Sequence, residues 1–211
     1  MNAHIPQDEM ERATLAAYGA TAAAYASFDD RMTATSFLWH WRYALPEHPV
    51  VADIGCGFGG AMEAFGELGI RHPIGVDPCP ELVAIARFRY PKNDFRIGNV
   101  LNLASVVTER CDGFVAAFSL AHIRRHNIEA ALTSIRRILK PEASGIIIGS
   151  SGTGDRILTS ADNPLIPSEH RMLVTDWTLE TLTPHLAACG FALQLGSEED
   201  GETFWARIAR V

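Results

Sequence analysis

The chain is short of lysine. Lys92 and Lys140 are the only two among 18 basic residues, against 25 acidic ones, and the formal net charge is −7. It therefore lacks the basic field by which proteins hold polyanions, and general nucleic-acid binding is not expected. Arg124–Arg125 and Arg136–Arg137 are local exceptions; each pair can contact a phosphate, though each is more simply the solvated face of a helix. Long apolar runs are also missing. None approaches the roughly 18 residues that cross a bilayer, and the opening MNAHIPQDEMERATLAAYG has no basic stretch followed by an apolar one. A cytoplasmic protein with no membrane partner is expected. Cysteine is sparse and scattered, at Cys56, Cys79, Cys111 and Cys189, with no C-x-x-C and no His/Cys cluster. That spacing excludes a zinc site and predicts reduced thiols; no metal is expected. No repeat or low-complexity tract is present. What remains is ordinary globular composition, 47% hydrophobic and 20% charged in 211 residues, long enough to bury about 70% of the unfolded chain's surface in one compact unit.

Within that composition the apolar residues fall in alternating short and long periods. An Ala-rich stretch from Gln7 to Phe28 predicts a helix, and Thr33 to Leu45 predicts a second that carries Phe37, Trp39, Trp41 and Tyr43. Pro46 and Pro49 stop it. Strands are expected at Val50–Ile54, Pro73–Asp77, Asp94–Ile97, Cys111–Phe118 and Gly145–Gly149, and helices at Ala61–Leu68 and Glu81–Phe88. A third helix, capped by Asn127, has Ile128, Ala131, Leu132, Ile135, Ile138 and Leu139 on one face. Strands alternating with helices imply a parallel sheet covered on both faces. Ser150 to Asp176 is rich in Ser, Gly, Asp and Pro and reads as a long polar loop. A helix around Leu179–Cys189 follows, with Pro184 placed at its start or at a kink. The runs Phe191–Leu195 and Thr203–Ile208, split by the acidic turn Ser197–Glu202, predict a closing antiparallel hairpin.

Chemistry concentrates in Asp53-Ile54-Gly55-Cys56-Gly57-Phe58-Gly59-Gly60, between the first strand of the sheet and a helix. Glycines there let the main chain bend sharply and approach a ligand. Gly55, Gly57 and Gly60 also fit the dinucleotide pattern G-x-G-x-x-G, with Asp77 at the distance of a ribose carboxylate. The glycines alone leave a nicotinamide cofactor and S-adenosylmethionine both open. Asp53 bears on the choice. A carboxylate two residues before the first glycine is costly to bury unless something pairs with it. The ammonium and sulfonium of S-adenosylmethionine suit it, and a pyrophosphate does not; otherwise Asp53 caps its own loop.

From Val50 to the C-terminus the sequence resembles the class I S-adenosylmethionine-dependent methyltransferases. VVADIGCGFGG resembles the first motif of that family and IGVDPCPELVAIAR the second. FRIGNVLNL is similar to the adenine-contacting stretch. CDGFVAAFSLAHI with IEAALTSIRRILKPEASGIIIG resembles the fourth-strand motif and the unit after it, and GFALQL with ETFWARIAR the terminal hairpin. The resemblance implies an α/β fold: a doubly wound, Rossmann-like sheet of about seven strands, mostly parallel with an antiparallel C-terminal hairpin, helices on both faces and an N-terminal helical cap. Residues 1–48 would be the cap and 49–211 the cofactor domain. It implies S-adenosyl-L-methionine as cofactor, leaving S-adenosyl-L-homocysteine. Asp53, Gly55, Cys56, Gly57 and Gly59 would line its methionine end, Asp77 would take the ribose hydroxyls, and Pro78, Asn99 and Val100 would border the adenine. Phe118 and Ser119 would close the pocket at the methyl donor. Asn99 stands where the family often has Asp, and KPEASG replaces a Pro-Gly-Gly turn.

The implied reaction is in-line methyl transfer to O, N or C of a small-molecule acceptor by a monomer or homodimer. A nicotinamide-dependent oxidoreductase and a non-catalytic S-adenosylmethionine-binding protein are the rivals. His122, after the fourth strand, is the candidate base or substrate contact, or else a histidine that orders its own loop. Acceptor recognition is expected from added pieces: the N-terminal helices with Tyr18, Tyr25, Trp39, His40, Trp41 and Tyr43, and Ser150–Asp176 with Asp155, Arg156, His170 and Arg171. Phe118-Ser119-Leu120-Ala121-His122 offers neither the clustered carboxylates of metal-dependent catechol methylation nor the N/D-P-P-Y run of amino-methylating enzymes. Pro78–Cys79 follows the second strand, where a cytosine-methylating nucleophile would not be.

Overall fold

A computed structural model describes residues 9–27, 36–199 and 201–211. The helix limits expected at Gln7, Phe28 and Thr33, and the side chain of Phe37, fall outside these. The elements are α1 (Glu9–Ser27), α2 (Ser36–Arg42), β1 (Val51–Ile54), α3 (Met62–Glu67), β2 (Ile74–Asp77), α4 (Pro80–Arg89), β3 (Asp94–Ile97), β4 (Cys111–Ala117), α5 (Ile128–Ile138) and β5 (Leu139–Ser150). After them come β6 (Asp155–Leu158), β7 (Met172–Thr175), α6 (Leu179–Ala188), β8 (Phe191–Glu199) and β9 (Thr203–Arg210).

Seven strands form one sheet in the order β3-β2-β1-β4-β5-β9-β8. β3, β2, β1, β4 and β5 run parallel, and β9 enters antiparallel between β5 and β8. The β1 and β2 strands are buried on both faces, which is why they read as short apolar runs without alternation. Successive residues still part to opposite sides. Ala52, Ile54, Ile74 and Val76 join α5 and α6 in one core, and Val51, Val115 and Ile146 join α2, α3 and α4 in the other. By this alternation Asp53 and Asp77 share the second side. Order reverses between β1 and β4, and a crevice opens there at the strands' C-terminal ends.

Three local expectations change. Asn127 precedes α5 but its side chain caps nothing in that helix; its Nδ2 reaches Glu11 on α1 at 3.2 Å. Pro184 lies inside α6, which begins instead at a capping box of Thr178 and Thr181. The stretch 150–176 is not one polar loop. It contains the antiparallel ribbon β6–β7, whose Met172–Thr175 is wholly buried. Most of its polar residues lie in the turns, and with Asp155 and Arg156 inside β6 they masked two strands of only four residues. β5 starts earlier than expected, at Leu139, with a register break opposite Cys111 and Gly113. Within the break Glu142 adopts φ +62°, the left-handed geometry that favours glycine.

Candidate active site

The bend after β1 is fastened to β2 by the main chain. Gly55 and Cys56 both donate N–H to the Val76 carbonyl, at 2.7 and 3.1 Å. Gly55 has φ +74° and Gly57 φ +52°, so both need the freedom of a residue without Cβ. Their surroundings differ. A Cβ on Gly55 would stand 2.2 Å from the Ser119 Cβ, whereas one on Gly57 would meet nothing within 4 Å. Gly55 lets the β1 and β4 turns touch; Gly57 leaves an open cradle. Asp77 braces that cradle, its carboxylate accepting from Gly57 N–H at 2.9 Å and Cys79 N–H at 2.8 Å. Burial raises the Asp77 pKa, and these two N–H groups hold it back.

Asp53 is 3% exposed, and its Oδ2 has no hydrogen-bond partner. Burial, then the nearby Asp77, push its pKa up to about 7. The Ser119 Oγ is likewise buried without a partner. Ser119 is carried against Gly55 by Phe118, which closes β4 at φ +56°. A bulky residue in that conformation costs about 1–3 kcal/mol and marks a constrained position.

Over the bend and the ends of β1, β2 and β4 lies a cleft with a mostly apolar lining, the character of small-molecule sites. Gly55, Gly57, Asp77, Pro78, Asn99, Val100, Phe118 and Ser119 line it, as expected from sequence, and so do Tyr18, Tyr25 and His122. Asn99 spends one lone pair of its Oδ1 on Leu101 N–H at 2.9 Å. Other candidates lie elsewhere. Cys56 turns into the core beside α3 and α4. Gly59 faces the Tyr90 ring, 2.9 Å from where its Cβ would be, so it serves packing. Asp53 sits behind the lining rather than in it. His170 closes a turn on Pro167 away from the cleft. Trp41 is fully buried and donates Nε1–H to the Ser144 carbonyl at 3.0 Å. Trp39, His40 and Tyr43 face solvent. Arg156 is tied to Asp176 at 2.5 and 2.8 Å, Asp155 lies 3.6 and 3.9 Å from Arg124 and Arg125, and Arg171 is exposed.

The roof is α1. Glu11, Thr14 and Tyr18, spaced i, i+3, i+7, share one face and each holds a distant segment. Glu11 Oε1 accepts from Arg124 N–H at 3.1 Å. Thr14 Oγ1 accepts from Leu173 N–H at 2.8 Å. The Tyr18 hydroxyl lies 2.8 Å from His122 Nε2, and His122 Nδ1 lies 2.7 Å from the Leu173 carbonyl. A carbonyl only accepts, so Nδ1 carries the hydrogen and Nε2 accepts from Tyr18. Burial lowers the His122 pKa against the opposing effect of Leu173, which keeps the ring neutral near pH 7. Tyr25 stands edge-on to both Tyr18 and Phe58, each at 5.4 Å. Among the described residues no lysine or arginine lines the cleft.

The family model described as a methyltransferase domain matches residues 51–142, from β1 into β5. That stretch is similar to a methyltransferase domain. Solved structures share the fold beyond that span. The CcbJ methyltransferase from Streptomyces caelestis superposes with a TM-score of 0.72 at 14% identity, over 92% of this chain and 98% of that one. A 1,6-didemethyltoxoflavin N1-methyltransferase from Burkholderia thailandensis gives 0.69 at 18%, over 98% and 92%. A methyltransferase from Methanosarcina mazei gives 0.70 at 16%, over 85% and 99%. No curated protein matches the sequence. Beside the residues read from sequence, Glu11, Thr14, Leu15, Cys79 and Leu82 line the cleft. The polar stripe Glu11-Thr14-Tyr18 on an Ala-rich helix was the available signal for the first two.

Proposed function

We propose that the chain is an S-adenosylmethionine-dependent methyltransferase that methylates an uncharged small molecule at an oxygen or nitrogen bearing a hydrogen. The buried, partnerless oxygen of Asp53 carries this reading. An unpaired carboxylate under a glycine bend is costly without a cation nearby. Asp53, with Ser119 behind Gly55, fits the charged methionine end of S-adenosylmethionine; Gly57 leaves room for it. Each Asp77 oxygen, already accepting one N–H, keeps a lone pair for the ribose hydroxyls, and Pro78, Asn99 and Val100 border the base. When bound, S-adenosylmethionine supplies a methyl group activated by a positively charged sulfur.

The chain's own residues then position and deprotonate. Tyr18 lines the cleft and donates to neutral His122. As the acceptor's proton arrives on the Tyr18 oxygen, the tyrosyl proton passes to Nε2, and the Leu173 carbonyl steadies the resulting imidazolium through Nδ1–H. With no lysine or arginine in its lining among the described residues, the cleft disfavours carboxylate and phosphate acceptors, while Leu15, Tyr25, Phe118 and Ile123 offer apolar walls. The related Burkholderia enzyme holds 1,6-didemethyltoxoflavin together with S-adenosylhomocysteine, which supports a small acceptor. With all four thiols free, the reducing cytoplasm suits the protein.

Isothermal titration against S-adenosylmethionine, S-adenosylhomocysteine and NAD(P) tests the cofactor. Saturable binding of the first two is expected, weakened at least about tenfold by Asp77→Ala. Binding of NAD(P) instead overturns it. Cofactor binding without turnover across a broad panel of phenols and amines overturns the catalytic part alone.

A further inference from the structure

At the end of the sheet opposite the cleft, α5 and α6 finish beside the start of β4 and the end of β9. Arg110, Arg136, Arg137 and Arg210 line a groove there, together with residues 187–190. Four guanidiniums in one groove are conspicuous in a chain of net charge −7.

Helix capping accounts for only part of this charge. Arg110 donates to the carbonyls of Arg137 and Leu139 at 2.7 and 3.3 Å, and Arg210 donates to the Leu139 carbonyl. The two helix C-termini together present about one negative charge, against four positive ones. The guanidiniums of Arg136 and Arg137 make no hydrogen bond or ion pair among the described residues, and the Arg136 Nε is buried without a partner. Gly190 keeps the guanidinium in place, since a Cβ there would lie 2.7 Å from that Nε. The Arg210 pKa is lowered by burial and by Arg136 and Arg110, with no carboxylate opposing them. Such crowding of like charge weakens the fold, and nothing in the fold uses it.

We propose that the groove binds a phosphoryl oxyanion, in the form of a small phosphorylated ligand. Planar guanidiniums with unspent N–H donors match phosphate oxygens two at a time. The chain's net charge of −7 disfavours an extended polyanion, which restricts the ligand to a small molecule.

Titration of pyrophosphate into the full chain at about 0.15 M salt tests this, with sulfate as a control for charge alone. One saturable site is expected, tighter for pyrophosphate than for sulfate. Arg136→Gln and Arg137→Gln leave the helix caps intact, and each should weaken binding by about tenfold or more. Both should leave S-adenosylhomocysteine affinity unchanged within about twofold. Without pyrophosphate, Arg136→Gln should melt no lower than the parent, and pyrophosphate should raise the Tm of the parent only. Absence of saturable binding overturns the proposal, as does parental affinity retained in both variants or loss of Tm in Arg136→Gln alone. Because S-adenosylhomocysteine is titrated into the same samples, failure of the cleft assignment shows separately.

Discussion

The two halves of the cleft are built by different means. The half under β1 and β2 is made of main chain and short-range carboxylates: Asp77 holds groups 2 and 20 residues away, and Asn99 one 2 residues away. The half under α1 is made of side chains that meet across the whole chain. Tyr18 and His122 are 104 residues apart, Glu11 and Arg124 113, Thr14 and Leu173 159. A backbone cradle accommodates one ligand chemistry and tolerates little change. A side-chain roof can be rewritten residue by residue while the cradle stays as it is.

Substitutions at neighbouring glycines separate fold from ligand in the first half. Gly55→Ala forces a Cβ into Ser119 at a positive φ and should cost about 2–4 kcal/mol, a fall in Tm of roughly 5–15 °C by calorimetry. Gly57→Ala should cost only about 1 kcal/mol yet abolish measurable cofactor binding. Equal losses of stability at the two positions would erase the distinction drawn between them. In the second half, Tyr18→Phe keeps the ring and removes the hydroxyl; kcat should fall about 100-fold with cofactor affinity unchanged. An unaltered kcat, or a loss confined to KM for the acceptor, removes the relay.

Asp53 gives a third contrast, in pH. Its ordinary value of 3.8 rises to about 7 in the fold, so between those limits the native state keeps a proton that the unfolded chain releases. Its effect on stability is therefore a loss as pH rises through that window. Cofactor affinity runs the other way: S-adenosylmethionine should bind more tightly as pH passes 7 and Asp53 ionises. Asp53→Asn should flatten that rise and reduce affinity about 10–100-fold above it. A rise that survives the substitution assigns it to another group. The smallest effect lies outside both halves: Glu142→Gly relieves a left-handed residue and should stabilise the chain by about 0.5–1 kcal/mol, with binding and kcat unmoved.

The same contrast sets what the sequence disclosed. The order of strands and helices, the glycine bend and both carboxylates were legible because each rests on neighbours in the chain or on a single buried charge. The expectation for Gly59 went astray because a glycine pattern records where side chains are forbidden without saying whether a ligand or a tyrosine ring takes the space. Trp41 and Tyr18 look alike as aromatic residues on N-terminal helices, yet one fills the core and the other meets His122; only tertiary contacts tell them apart. The β6–β7 ribbon stayed hidden because its apolar signal spans four residues per strand amid Ser, Gly and Asp.

Leu173 spends its N–H on Thr14 and its carbonyl on His122. A single residue's main chain therefore sets both the height of the roof and the nitrogen on which the imidazole carries its hydrogen. A one-residue slip of β7 would release the helix and free the ring to change tautomer together. In the proposed reaction, proton chemistry and substrate access are thereby coupled through the main chain of this ribbon, and evolution could retune both there without touching the cofactor.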